Sequence, residues 1–451
     1  MVSETNERAL EAAIERKLAG LTSEELKLSP SAAPQGLHHG YRIGKPQNFN
    51  KAFAIDEEMF WGFLEATQAD ELDKLKRSGP DWQRKVLERF DRLARKNGLL
   101  HLLKKGLSVD DAHLYLMYPA PLASSSEAVR ENFESNIFSC TRQLTYSEIN
   151  PLEEIDIVLF LNGMPIVTLE LKNAWTGQTA RYHGQKQYRQ DRDTSQTLFH
   201  FARCLVHMAV DTDDAFMTTK LAGQSTFFLP FNRGHDGGKG NPPNPYGHKT
   251  AYLWEEVFSR KSLANIIQHF MRLDGSSRDP LAKRTLFFPR YHQLDVVRKL
   301  IGHASSKGVG HTYLIQHSAG SGKSNSITWA AYQLIEAYPE RADLPGARAK
   351  DIPLFDSVIV VTDRRLLDQQ LRQNIKEFSE VKNIVAPAHS SAELRAALEQ
   401  GKKIIITTIQ KFPFIVDGID DLSDKRFAVI IDEAHSSQSG TAHSKMNMAM
   451  G

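Results

Sequence analysis

The sequence predicts an α/β protein built as two consecutive domains, and three observations carry that expectation. Two apolar runs, 155–161 and 165–172, flank Asn162-Gly163, the strongest short-range signal for a β-hairpin. Another apolar run, 312–316, leads into the small-residue loop His317-Ser318-Ala319-Gly320-Ser321-Gly322-Lys323-Ser324 and then into a helix-like run. Beyond residue 284, strand-like and helix-like segments alternate, which is the pattern of an open parallel sheet.

A chain of 451 residues, 41% apolar and 24% charged, has ample material for more than one core. That composition excludes disordered and fibrous classes. The net charge is only +2, so any nucleic-acid contact must come from local basic patches. Cys140 and Cys204 stand far apart with no Cys/His cluster, against a disulfide framework or structural zinc. No leader-like apolar segment opens the chain, and no apolar run reaches the roughly 18 residues of a membrane span. A soluble, cytoplasmic protein is expected.

The first domain is expected over 1–272. Leu10, Ala13, Ile14 and Leu18 recur at helical spacing, with Gly20 as a C-terminal stop. Residues 22–50, rich in Ser, Pro, Gly, His and Asn, read as an irregular excursion. From 57 to 105 the pattern is helical and heavily charged, and Lys85, Arg89, Arg92, Arg95 and Lys96 lie on solvated faces that could touch a phosphate backbone. Two short β-compatible runs, 136–140 and 142–146, precede the hairpin. A polar helical segment spans 179–192, then 198–211 and a strand-like 216–219. Residues 232–249 form a Gly/Pro-rich loop and a helix runs from about 254 to 271. The polar run 273–284 reads as a linker. The second domain, 285–451, has strands expected at 312–316, 357–361, 404–407 and 427–431, with helices at 324–338 and 364–378.

On a strand, residues i and i+2 share a face, so Glu170 and Lys172 project together and Asp156 can meet them from the partner strand. Two carboxylates so placed suit a hard divalent cation, Mg²⁺ foremost. Such a metal polarises a phosphate and lowers the pKa of bound water. Lys172 would orient that water or stabilise charge growing on the phosphate. Asp156 and Glu170 interrupt otherwise apolar strands, and a carboxylate there is costly unless paired or coordinating.

Asp156 followed by Glu170-Leu171-Lys172 resembles the PD-(D/E)xK nuclease core. With Leu161-Asn162-Gly163-Met164-Pro165 and Asn173, it resembles the restriction (R) subunit of type I restriction–modification enzymes. That family adds a Gln-x-x-x-Tyr motif on the following helix. The resemblance puts Gln185 and Tyr188 forward as supporting residues, although their spacing is one short; Gln178 and Tyr182 have the family's spacing but sit nearer the strand.

The loop 317–324 is built as a phosphate-binding P-loop, with His317 where the general pattern has Gly. Backbone N–H groups and the helix N-terminus would cradle phosphates, Lys323 would neutralise the β- and γ-phosphates, and Ser324 would ligate Mg²⁺. Downstream, the apolar run 427–431 ends in Asp432-Glu433-Ala434-His435. Asp432 would hold the ATP-bound Mg²⁺ and Glu433 would orient the attacking water. This tetrad resembles motif II of superfamily 2 helicases and translocases. By the same resemblance Gln293 reads adenine, and Val360-Val361-Thr362-Asp363-Arg364 and Thr407-Thr408-Ile409-Gln410-Lys411-Phe412 touch a DNA backbone. The resemblance runs from about residue 130 onward. It implies a PD-(D/E)xK nuclease domain followed by one RecA-like lobe, with ATP and Mg²⁺ as cofactors. It also implies double-stranded DNA as substrate, methyltransferase and specificity subunits as partners, and a bacterial or archaeal cytoplasm.

A superfamily 2 motor needs two lobes, and this sequence stops sixteen residues after His435. The expectation is a fragment that binds ATP weakly, turns it over poorly and does not translocate. Two other readings fit the same residues: a nuclease–helicase of repair or recombination, and a non-catalytic ATP- and DNA-binding module.

Overall fold

A computed structural model describes residues 7–122, 124–173, 177–276, 278–362, 385–388, 390–408 and 424–433. The chain divides into two units: 1–121 with 126–291, and 122–125 with 292–451. The expected linker 273–284 lies inside the first unit. Arg272–Asp274 pairs antiparallel with Thr285–Phe287, so the polar run is the loop of a hairpin.

The first unit is organised on a seven-stranded sheet whose strands lie in chain order: β1 (Arg42–Ile43), β2 (Phe138–Thr145), β3 (Glu154–Leu161), β4 (Met164–Leu171), β5 (Val206–Val210), β6 (Ala215–Thr218) and β7 (Leu229–Pro230). The β1/β2 and β4/β5 pairs are parallel; the rest are antiparallel. The two runs expected around 136–146 are thus one strand, with Gln143 kinked into positive φ. The excursion expected at 22–50 supplies the edge strand β1. Every residue of β4 is buried, as a strand covered on both faces requires. The β3/β4 turn is the expected one: Asn162 and Gly163 have φ of 49° and 78°. Asn162 is also fully buried, accepting from the Ile137 N–H at 2.7 Å and donating to the Leu116 carbonyl at 2.9 Å.

Helix α1 (Glu7–Ala19) buries Leu10, Ile14 and Leu18 and docks on this sheet. Its buried Glu11 and Glu15 receive Arg142 of β2 at 3.1 and 3.0 Å, and Glu24 of the short helix Ser23–Leu28 adds a third carboxylate at 2.8 Å. The charged segment 57–105 is helical, as expected; its longest helix, α2 (Trp82–Asn97), turns Val86, Leu87, Phe90 and Ala94 inward. The segment expected as helix over 179–192 forms two π-helical turns, Ala180–Gly184 and Gln187–Asp191.

The second unit has a parallel four-stranded sheet, β8 (Ser357–Thr362), β9 (Val385–Pro387), β10 (Ile404–Thr408) and β11 (Phe427–Ile431), in the order β9-β10-β8-β11. Helices α3 (Tyr291–Lys307), α4 (Lys323–Leu334) and α5 (Ser391–Glu399) accompany it. The expected strand 312–316 is not formed. Among the described residues β11 has a ladder to β8 alone, and Leu314 is 87% exposed. The neighbouring Tyr313 hydroxyl is held instead by His303 Nδ1 of α3, at 2.8 Å. The helix expected at 364–378, Asp363-Arg364, 409–412 and Ala434-His435 lie outside the described residues. No described helix is long and apolar enough to cross a membrane.

Candidate functional sites

The pairing of Ile157 with Leu169, carried one step further along the antiparallel ladder, sets Asp156 opposite Glu170. Leu171 ties the constellation together: its N–H donates to Asp156 Oδ2 at 2.6 Å, and its carbonyl accepts from Lys172 Nζ at 2.7 Å. Glu170 is fully buried, and its Oε2 has no hydrogen-bond partner within the protein. Its Oε1 receives the guanidinium of Arg192 at 2.5 Å. Burial, reinforced by the like charge of Asp156, pushes the Glu170 carboxyl up to about 8 despite Arg192 and Lys172. Burial likewise raises Asp156 against the pull of the Leu171 N–H.

Gln185 and Tyr188 are both buried, whereas Gln178 and Tyr182 are exposed, Tyr182 at 71%. The Tyr188 hydroxyl pairs with Thr168 Oγ1 at 2.8 Å, and Thr168 in turn meets His207 Nδ1 at 2.8 Å. The β4/β5 ladder places Thr168 beside His207. Gly184 permits this packing, since a Cβ there would lie 3.0 Å from the Ala209 Cβ and 3.6 Å from Lys172 Cγ.

Two participants escaped the sequence reading. Arg192, at the end of the polar segment 179–192, lies 9% exposed against Glu170, with its guanidinium 5.7 Å from the Tyr146 ring centroid. Its spacing was the available signal, because 185, 188 and 192 share one helical face. Glu7 of α1 reaches Lys172 Nζ at 3.3 Å. Glu7, Glu11 and Glu15, four apart, form an acidic stripe on the face of α1 turned to the sheet.

In the second unit, Lys323 bridges two acids, Asp432 at 2.8 Å and Glu433. Burial would lower the lysine, and these hydrogen bonds outweigh it and raise its pKa. Asp432 is buried, with its N–H on the Val361 carbonyl at 2.9 Å, and Glu433 stands at a positive φ of 54°. The Asp432 Oδ2 oxygen is buried without a protein partner. Ser318, Ala319 and Gly320 form the exposed part of the loop; Ser321 is buried, and Gly322 and Ser324 are partly so. Gly322, with φ of 85°, precedes α4, and a side chain there would collide with the Gln293 amide. That amide donates to the Ser321 and Gly322 carbonyls at 3.2 and 3.1 Å, so Gln293 braces the loop. His317, the departure from the usual pattern, pairs through Nδ1 with Ser321 Oγ at 2.9 Å. The donor sets fit the groups their chemistry implies: a divalent cation at Asp156 and Glu170, and Mg·nucleotide around Lys323, Ser324 and Asp432. In each, one buried carboxylate oxygen lacks a protein partner. Among the described residues no cluster of three His, Cys, Asp or Glu side chains forms a ready-made metal cage.

Comparison with known proteins gives two matches along the chain. The family model of the type I restriction enzyme R protein N terminus matches residues 48–226, and that of the SWI2/SNF2 ATPase matches residues 292–451. The endonuclease subunit of the type I restriction enzyme HindI from Haemophilus influenzae is 26% identical over 365 residues, covering 78% of this chain and 32% of its own. A type I restriction endonuclease subunit of Staphylococcus aureus strain COL is 24% identical over 314 residues, 68% of this chain and 30% of its own. A putative one from Methanocaldococcus jannaschii is 20% identical over 332 residues, 69% and 30%. The chain therefore spans about a third of the length of these relatives.

Proposed function

We propose, from the match of 48–226 to the type I restriction enzyme R protein N terminus and of 292–451 to the SWI2/SNF2 ATPase, that the first unit is a Mg²⁺-dependent DNA endonuclease and the second an ATP-binding lobe of a DNA translocase. The observation that carries the nuclease reading is the buried, half-unpartnered carboxylate of Glu170 beside Asp156 and Lys172. A carboxylate in that position is destabilising unless a cation meets its free oxygen. Asp156 and Glu170 would hold Mg²⁺, which when bound polarises the scissile phosphate and acidifies a water. Arg192 keeps Glu170 in place, and the Leu171 N–H keeps Asp156 in place. Lys172, drawn in by the Leu171 carbonyl, orients the attacking water or neutralises charge on the phosphate. Tyr188, held through Thr168 and His207, and Gln185 back the strand that carries Glu170 and Lys172.

In the second unit Lys323 would exchange its carboxylate partners for the β- and γ-phosphates of ATP. Ser324 and Asp432 would ligate its Mg²⁺, and Glu433, released from Lys323, would orient water. Gln293 would act from its place against the loop. Double-stranded DNA is the proposed substrate, and methyltransferase and specificity subunits are the proposed partners.

The test is cleavage of supercoiled plasmid in Mg²⁺ by this chain assembled with its partner subunits. Asp156→Ala and Lys172→Ala should each abolish nicking while assembly persists. Nicking that survives both substitutions would place the chemistry elsewhere.

A further inference from the structure

Helix α2 carries six cations, Arg84, Lys85, Arg89, Arg92, Arg95 and Lys96, but only two acids, Glu88 and Asp91. Both acids are already paired. Glu88 pairs with Arg84 at 2.8 Å, and Asp91 pairs with Arg95 at 2.7 Å and with the buried Arg203. Lys85, Arg89, Arg92 and Lys96 remain, separated by four, three and four residues, which is one face of an α-helix. None of them is in an ion pair among the described residues. Lys85 and Arg89 donate instead to backbone carbonyls, of Ser78 and Ser108, both at 3.3 Å. Against this face lies a groove of about 650 Å³, lined by Lys85, Arg89, Arg92 and the Arg84-paired Glu88 of α2 and, on its far side, by Ser108, Val109 and Asp110 of the hairpin that joins Leu107–Val109 to Ala112–Leu114.

We propose that this face of α2 binds the sugar–phosphate backbone of duplex DNA. The assignment rests on the nuclease reading for the identity of the ligand and on charge geometry for the place. Eleven residues of α-helix at 1.5 Å each span about 16 Å. A DNA strand presents a phosphate every ~3.4 Å of axis, so a row of like cations that long meets several consecutive phosphates. The buried apolar residues of α2, Val86, Leu87, Phe90 and Ala94, are turned inward, and the charges of this face sit on long flexible stems. Such a surface holds DNA without reading bases. Of the two carboxylates that line the groove, Glu88 is paired with Arg84, and Asp110, on the far wall, works against the phosphate.

Anisotropy of a labelled duplex bound by the full chain, in EDTA and from 50 to 200 mM salt, tests the proposal without cleavage. Arg89→Gln/Arg92→Gln should weaken binding about tenfold or more at low salt and reduce the log–log salt slope by about two. Arg84→Gln/Arg95→Gln removes the same charge from the paired side and should stay within about twofold of wild type. Asp110→Asn should tighten binding. Because EDTA excludes metal-dependent cleavage, the assay reads binding alone, and loss of cleavage in the plasmid test and loss of this surface are separate results. Equal weakening by the two double variants, or no change in slope with Arg89→Gln/Arg92→Gln, would overturn the proposal.

Discussion

Arg192 donates to one oxygen of Glu170 at 2.5 Å while the other oxygen, equally buried, has no protein partner. The carboxylate is therefore half satisfied by the protein, and its free side is where a cation gains most. The arginine is a counter-charge that keeps the acid in place.

Arg192→Gln should leave Glu170 buried without its cation and raise the carboxyl further. Mg²⁺-dependent nicking should then fall by at least tenfold, with Arg192→Lys recovering part of it. Titrating Mg²⁺ against nicking rate checks this; an unchanged Mg²⁺ dependence in Arg192→Gln would remove the arginine from the site.

Arg142 joins β2 to Glu11 and Glu15 of α1 through an almost fully buried network. Removing one partner of such a network leaves uncompensated charge, a loss of about 3–5 kcal/mol. Arg142→Met should show that loss in urea unfolding of the first unit. A change below about 1 kcal/mol would mean that α1 is not held this way.

His207 is neutral because burial drives its pKa down to about 3 from an ordinary 6.5. Between those values the unfolded chain binds the proton and the fold does not. The fold's advantage is thus complete above about 6.5 and is lost as pH falls towards 3. The loss amounts to a few kcal/mol, on the order of 1.4 per pH unit across the window. His207→Gln should flatten that acid slope in thermal melts between pH 7 and 4.

These expectations divide along a line that the residues explain. The β3/β4 hairpin was legible because period-two apolar runs and Asn162-Gly163 are local signals. Asp156 and Glu170 were legible because each breaks an apolar strand. Lys323, Asp432 and Glu433 come together from 110 residues apart through motifs that advertise their own strand and helix context. Arg192 was hidden among Arg181, Lys186 and Arg189, and only the fold shows which cation turns inward. Glu7 lies 165 residues from Lys172, so no local pattern could link them. The run 312–316 misled because its apolar composition matches a strand; the described ladder ends at β11, and Tyr313 is tied to α3 instead.

The central claim is that Asp156, Glu170 and Lys172 form one metal-dependent cutting site, and Mn²⁺ binding followed beside plasmid nicking in nucleotide-free protein tests it most directly. Glu170→Ala should lose both Mn²⁺ binding and nicking, whereas Lys172→Ala should keep the metal and lose only the cut. Wild-type Mn²⁺ binding and wild-type nicking in Glu170→Ala would contradict the account.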